Sequence, residues 1–243
     1  MTSSRVRGIL WDFDNTLVDT LAKNRTVTRR IVRSVTGRDP DAFPALRSLA
    51  AYDAALHRTQ NWQQLYREEL ELAPEEIEAA GGLWTAYQLA DTTPTPIFEG
   101  VPEVVRALRH LPQAIVSLNT RDNIRETLRA ATLHDAFTLI IGCEQVGLHC
   151  QKPAPDAVLL CLERLALDGP GGAVLYVGDH PIDAECAANA NAVLARRGAE
   201  LRVIAVRASY GSAASLAAWV VEPDHRVSRP GDILDIVAAL PAP

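Results

Sequence analysis

Two hydrophobic periods run along this chain, and the change from one to the other divides it. Residues Val6 to Phe13 form a short apolar run ending in carboxylates, the pattern of a buried strand. From about Asp19 to Asp91 apolar residues recur at helical spacing, Val27, Ile31, Val32 and Val35 among them. Within that stretch Pro74-Glu75-Glu76 reads as a helix start with acidic residues in its first turn, and Gly81-Gly82 predicts a break or kink in the helix that follows. The segment Thr92-Thr93-Pro94-Thr95-Pro96 predicts a linker. Strand and helix periods then alternate: helix Val101 to Leu111, strand Gln113 to Ser117, helix Asp122 to Ala131, strand Phe137 to Ile141, helix Pro155 to Leu165. Strand Ala173 to Val177, helix Asp183 to Arg197, strand Leu201 to Val206 and helix Ile233 to Leu240 complete the series.

Alternation at this spacing predicts an α/β fold, a doubly wound parallel sheet with helices on both faces, into which the helical stretch is inserted after the first strand. The predicted domains are an α/β core of residues 1–18 and 97–243 and a helical domain of residues 19–96. At 243 residues, 48% hydrophobic and 22% charged, the chain can bury a sizeable core, which excludes a disordered or disulfide-built protein. The net charge is -6 and no basic run exceeds two residues, so nucleic acid is not an expected partner. No apolar run reaches the roughly 20 residues of a membrane helix, and Met1 to Arg7 lack an apolar signal core. The four cysteines show no metal-binding or CxxC spacing, so reduced thiols in a cytoplasmic protein are expected. The basic side chains are almost all arginines; the lysines are Lys23 and Lys152.

In an open parallel sheet, ligands bind beyond the carboxyl ends of the strands. The polar groups found there are Asp12-Phe13-Asp14-Asn15-Thr16, Ser117-Leu118-Asn119-Thr120, Lys152-Pro153 before a helix, and Gly178-Asp179 with Asp183 four positions on. Carboxylates crowded around one ammonium repel each other unless a cation compensates them. Mg²⁺, with its preference for carboxylates, water and substrate phosphate, suits this set. Lys152 can bind a phosphate as a point charge, and the Ser117 hydroxyl and the amides after it lie where a helix begins, a favourable place for an anion. Aspartate can also attack a phosphoryl group covalently.

Singly each motif is ordinary, but in this order Asp12-Phe13-Asp14-Asn15-Thr16, Ser117, Lys152 and Gly178-Asp179-His180-Pro181-Ile182-Asp183 resemble the four motifs of the haloacid dehalogenase-like (HAD) superfamily. The resemblance spans Gly8 to Leu240, and the insertion between Asp19 and Pro96, with re-entry at Phe98-Glu99-Gly100-Val101, is similar to the helical cap of the phosphoglycolate-phosphatase-like branch. It implies a Rossmann-like HAD core whose cap closes over the crevice, excludes water and selects the substrate. It implies Asp12 as the nucleophile that becomes a phosphoaspartate and Asp14 as general acid and base. Asp12, Asp179 and the backbone carbonyl of Asp14 would hold Mg²⁺. Asp183 would lie near the metal or orient Lys152, and Thr16 would support the first loop. Ser117 and Lys152, with the amides around Leu118 and Asn119, would hold the phosphoryl oxygens. The implied activity is Mg²⁺-dependent hydrolysis of a small phosphorylated metabolite.

A sugar-phosphate mutase of the β-phosphoglucomutase kind, or a non-catalytic HAD-fold binding protein, are the alternatives; the latter would require a lost core residue, and none is lost. Asp14 argues against dehalogenation. Asn15 stands where the family more often has glycine, and the stretch Ala192 to Glu200 reads as a long polar link after Asn189-Ala190-Asn191. His180 reads as a loop-shaping residue, Trp62, Tyr66 and Trp84 as core of the helical domain, and Arg25, Arg29 and Arg30 as a solvated helix face.

Overall fold

A computed structural model describes residues 5–59, 61–169, 171–210 and 219–240; residues 1–4, 211–218 and 241–243 of the predicted core domain lie outside the described residues. The chain divides into two compact units, one holding the described residues up to Val18 and from Ile97 onward, the other Asp19–Pro96.

The first unit is built on six parallel strands: β1 (Val6–Trp11), β2 (Gln113–Val116), β3 (Leu139–Ile141), β4 (Ala173–Gly178), β5 (Arg202–Ala208) and β6 (His225–Val227). Their order is β3-β2-β1-β4-β5-β6. Along β1, Ile9 and Trp11 enter one apolar cluster and Leu10 the other; along β4, Leu175 and Val177 separate from Val174 and Tyr176 in the same way. The sheet is therefore covered on both faces, which is why its central strands read as continuous apolar runs. The helices of this unit are α5 (Val101–Ala107), α6 (Arg121–Ala130), α7 (Asp156–Arg164), α8 (Pro181–Arg196) and α9 (Asp232–Ala239). The chain leaves the unit at Val18 and re-enters at Ile97, paired by an antiparallel bridge, and the Phe98 N–H donates to the Leu17 carbonyl at 3.1 Å.

Several element ends differ from the sequence pattern, for local reasons. The helix predicted to reach Arg197 ends at Arg196, so the stretch Ala192 to Glu200, read as a polar link, is helical as far as Arg196. There the Asn191 amide donates to the Val203 carbonyl at 2.7 Å and accepts the Val203 N–H at 2.8 Å, acting as a short strand partner for β5. Helix α8 also starts at Pro181, ahead of the predicted Asp183, because His180 occupies its N-cap. Strand β6 was not foreseen: three residues with a histidine and an arginine carry no strand period.

The second unit has its own core of Val27, Ile31, Leu46, Tyr52, Leu65 and Tyr66. Its helices are α1 (Leu21–Thr36), α2 (Leu49–Arg58), α3 (Trp62–Gln64) and α4 (Pro74–Ala90). Between α1 and α2, Gly37 ends the first helix at φ 68°, and Pro40 and Pro44 each start only a single tight turn. The expected break at Gly81-Gly82 does not occur: α4 runs through both glycines. A Cβ on Gly81 would lie 2.6 Å from the Trp62 ring, so this glycine makes room for an indole. That ring meets Tyr66 edge-on at 5.7 Å. Gly82 has nothing near it, so Gly82→Ala is expected to stabilise the protein by about 0.5–1 kcal/mol through helix propensity. Gly81→Ala should give no such gain, as urea unfolding of the two variants would measure.

Arg25, Arg29 and Arg30 are more than a solvated face. Arg25 and Arg29 both donate to the Leu46 carbonyl at 2.9 Å, and Arg30 lies 4.9 Å above the Tyr87 ring. They brace α1 against the rest of its unit. No helix among the described residues is long and apolar enough to cross a membrane.

Candidate active site

The strand order reverses direction around β1: its successors in the chain, β2 and β3, lie on one side and β4 to β6 on the other. A crevice forms at such a switch point beyond the strand ends. Trp11 is in register with Val177 of β4 and with Ile115 of β2, so Asp12, Asp179 and Ser117 all emerge within a few residues of that edge. The Asp12 N–H donates to the Val177 carbonyl at 2.8 Å, which fixes the first carboxylate against β4. The loop that follows turns sharply, with Asn15 at φ 55°, a conformation asparagine adopts more readily than most residues.

The centre of the site is one buried ammonium between two buried carboxylates. Lys152 Nζ donates to Asp12 Oδ1 and to Asp183 Oδ1, each at 2.7 Å. All three side chains are nearly inaccessible. Burial pulls the Lys152 ammonium down, but its two carboxylate partners outweigh that and hold it well above the ordinary lysine range. Burial pushes Asp12 well above the usual carboxylate range; Lys152 opposes this, while Asp183, Asp179 and Asp14 add to it. Asp12 thus sits where a further positive charge would be strongly favoured.

Asp183 accepts three hydrogen bonds. Besides Lys152, the Tyr176 hydroxyl reaches its Oδ1 at 3.0 Å and the His180 N–H reaches its Oδ2 at 3.1 Å. A Cβ on Gly178 would lie 2.2 Å from Asp183 Oδ2, so only glycine lets this carboxylate come so close to β4. Oxygens of Asp12, Asp179 and Asp183 can lie within 4.8 Å of one another. Asp179 is oriented by the Thr16 hydroxyl, which donates to its Oδ1 at 3.2 Å. That donor set, all carboxylate oxygen, fits a hard divalent cation such as Mg²⁺. Both Asp183 oxygens accept hydrogen bonds, one of them from Lys152, so this carboxylate anchors the ammonium.

The Asp14 carboxylate is not in that group of three; the Asn119 side-chain amide donates to both its oxygens, at 3.2 and 3.1 Å. Ser117 is buried at the end of β2, and its Oγ accepts the Asn119 N–H at 3.1 Å, which leaves the hydroxyl proton available to donate. Leu118 between them is half-buried. His180 caps α8, its Nδ1 accepting the Ile182 N–H at 3.4 Å, in keeping with a loop-shaping role.

Two residues of the site were not singled out by sequence. Tyr176 hides in an apolar strand run, its ring 5.7 Å from the Lys152 ammonium. Burial, then Asp183, hold its hydroxyl well above the ordinary tyrosine range, so it remains a donor. Asn123 lies on the buried face of α6 beside Ile124 and Leu128, and an amide among apolar residues is the one signal that could have marked it.

Comparison with known proteins places this geometry in a lineage. The family model for haloacid dehalogenase-like hydrolases matches residues 9–196. The pyrophosphatase PpaX of Bacillus velezensis is 25% identical over 241 residues, covering 97% of this chain and 98% of that protein. The fructose-1-phosphate phosphatase YqaB of Escherichia coli is 27% identical over 194 residues, covering 78% and 96%. Among solved structures, a candidate phosphoglycolate phosphatase of Lactobacillus plantarum superposes with a TM-score of 0.74 at 18% identity, covering 96% of this chain and 99% of that one.

Proposed function

The chain belongs to the haloacid dehalogenase-like hydrolases, and from that premise we propose that it is a Mg²⁺-dependent phosphatase acting on a small phosphorylated metabolite through a phosphoaspartate. The observation that carries the reading is the buried Asp12–Lys152–Asp183 bracket with Asp179 beside it. The similarity to PpaX and YqaB, both phosphate-ester or phosphoanhydride hydrolases by name, supports the same chemistry.

In this reading an Asp12 carboxylate oxygen attacks phosphorus while the bond to the leaving oxygen breaks, and Asp14 gives that oxygen a proton. Asp14, now a carboxylate, takes a proton from water as the water oxygen attacks the phosphoaspartate. The phosphorus–Asp12 bond breaks, inorganic phosphate leaves and Asp12 is restored. Lys152, the Ser117 hydroxyl and the Leu118 amide hold the phosphoryl oxygens, where developing charge needs donors already in place, while the Asn119 N–H orients Ser117 Oγ. Asp12, Asp179 and the Asp14 backbone carbonyl would hold Mg²⁺, which supplies positive charge to the phosphoryl group. The helical unit is assigned the choice of substrate, as the cap to which it is similar. The four cysteines are unpaired and two of them buried, which supports a reducing, cytoplasmic setting.

The test is phosphate release from 4-nitrophenyl phosphate with Mg²⁺ and after exhaustive chelation. Activity that needs the metal is expected, and activity that survives chelation would remove Mg²⁺ from the reading. Mg²⁺ is also expected to raise the melting temperature, by the equivalent of about 2–3 kcal/mol at a hundredfold excess over its Kd. Because burial raises Asp12, protons compete with the cation for it, so the gain is expected to be larger at pH 8 than at pH 5.

A further inference from the structure

Asn119, whose backbone amide the family resemblance implies for phosphate binding, has a side chain with partners of its own. Its Nδ2 donates to both oxygens of Asp14, and its Oδ1 accepts two hydrogen bonds, from the Thr120 N–H at 2.8 Å and from Asn123 Nδ2 at 3.1 Å. An amide can present either end to a neighbour, and ordinarily the choice is open. Here it is not: the Thr120 N–H is a donor by chemistry, so the end of Asn119 that faces it must be the oxygen. The NH₂ end is left for Asp14. Asn119 and Asn123 are both buried, so water does not compete for these positions.

We infer that Asn123 and Asn119 form an amide relay that positions Asp14 for proton transfer, with Asn119 touching the acid and Asn123 acting through it. The inference rests on the reading of Asp14 as the group that protonates the leaving oxygen. An NH₂ group can donate but cannot accept. When Asp14 carries its proton, Asn119 can therefore donate to the acid but cannot take up its O–H in a hydrogen bond. With the amide turned round, Asn119 Oδ1 would accept that proton in a hydrogen bond and withhold it. The relay thus prevents Asn119 itself from sequestering the proton of Asp14. The helical phase of α6 supplies the lock, because Asn123 follows Asn119 by four residues and its side chain reaches back over the first turn to the amide.

A positioning role predicts a selective defect. Leaving groups that depart easily need little protonation, whereas poor ones depend on it, and general acid catalysis contributes about 10²–10⁴-fold where it operates. Phenyl phosphate and 4-nitrophenyl phosphate have similar shapes and differ in how well the phenolate leaves. Asn119→Ala is expected to lower kcat for phenyl phosphate by about tenfold more than kcat for 4-nitrophenyl phosphate. Asn123→Ala is expected to shift the same ratio in the same direction by a smaller factor. The ratio is independent of how much of each variant folds, because both substrates meet the same molecules. An unchanged ratio in Asn119→Ala would overturn the positioning of Asp14. A changed ratio in Asn119→Ala with none in Asn123→Ala would overturn the relay. Wild-type protein inert towards both esters would fell the phosphatase reading itself, a result distinct from either.

Discussion

Asp12→Asn is expected to abolish phosphate release, by about 10⁴-fold or more, while leaving the fold intact. The substitution keeps shape and volume, and its carbonyl oxygen can still accept from Lys152 where Asp12 Oδ1 does at 2.7 Å. It removes only the carboxylate that attacks phosphorus. Rapid acid quenching followed by mass measurement should find a phosphorylated wild-type chain and no phosphorylated variant. A variant that retained wild-type turnover would remove Asp12 as nucleophile.

Stability should respond in the opposite sense, and this separates catalysis from folding. In the metal-free protein burial raises Asp12 above the value it has in an unfolded chain. Between those two values the folded chain holds a proton that the unfolded chain has released, so stability falls as pH rises across that interval. Asparagine has no proton to lose. Relative to wild type, Asp12→Asn should therefore gain stability as pH rises from about 4 towards neutrality, as urea unfolding at several pH values would show.

Lys152→Met is expected to damage both activity and stability. Methionine fills much the same volume but leaves Asp12 and Asp183 without the ammonium that each meets at 2.7 Å. Removing one partner of a buried ion pair costs about 3–5 kcal/mol, because the remaining charges stay buried without compensation. Loss of a donor held against the developing phosphoryl charge should lower kcat by about 10²–10³-fold. The folded-state value of Lys152 is raised, so its stabilising contribution is complete below the ordinary lysine value and is lost only as pH rises above it. At neutral pH the variant thus forfeits the whole contribution. At pH 5 the uncompensated Asp12, already raised by burial, can take up a proton, so the deficit should shrink, and Mg²⁺ should shrink it at pH 8. A deficit equal at both pH values would mean that it does not arise from uncompensated carboxylate charge.

Much of the site was legible because its chemistry is concentrated at strand ends. A strand buried on both faces must be apolar along its length, so polarity returns where it leaves the sheet, and Asp12, Ser117 and Asp179 mark those exits in order. The alternation of strand and helix gave the class for the same reason. Element ends were less legible, because caps and side-chain partners set them. His180 begins α8 earlier than periodicity suggests, and Asn191 serves β5 from inside that helix, a pairing that helical periodicity does not reveal. Gly81-Gly82 read as a break because glycine is a poor helix former, but a tryptophan from elsewhere in the chain needed that space.

What the sequence determined by itself was therefore the inventory and its order: an α/β chain, an inserted helical stretch, and the acids, hydroxyl and lysine that meet at one sheet edge. Tertiary structure decided the assignments among them. Asp183 turned out to be bound by Lys152, Tyr176 and the His180 amide, and Asn119 to face Asp14. Sequence spacing states which residues lie on the same edge, but a hydrogen bond depends on distances of a few tenths of an ångström and on which end of a group faces its neighbour. Those follow from the register of β1 with β4 and β2 and from the phase of the helices that begin at their ends, and both exist only once the sheet has formed.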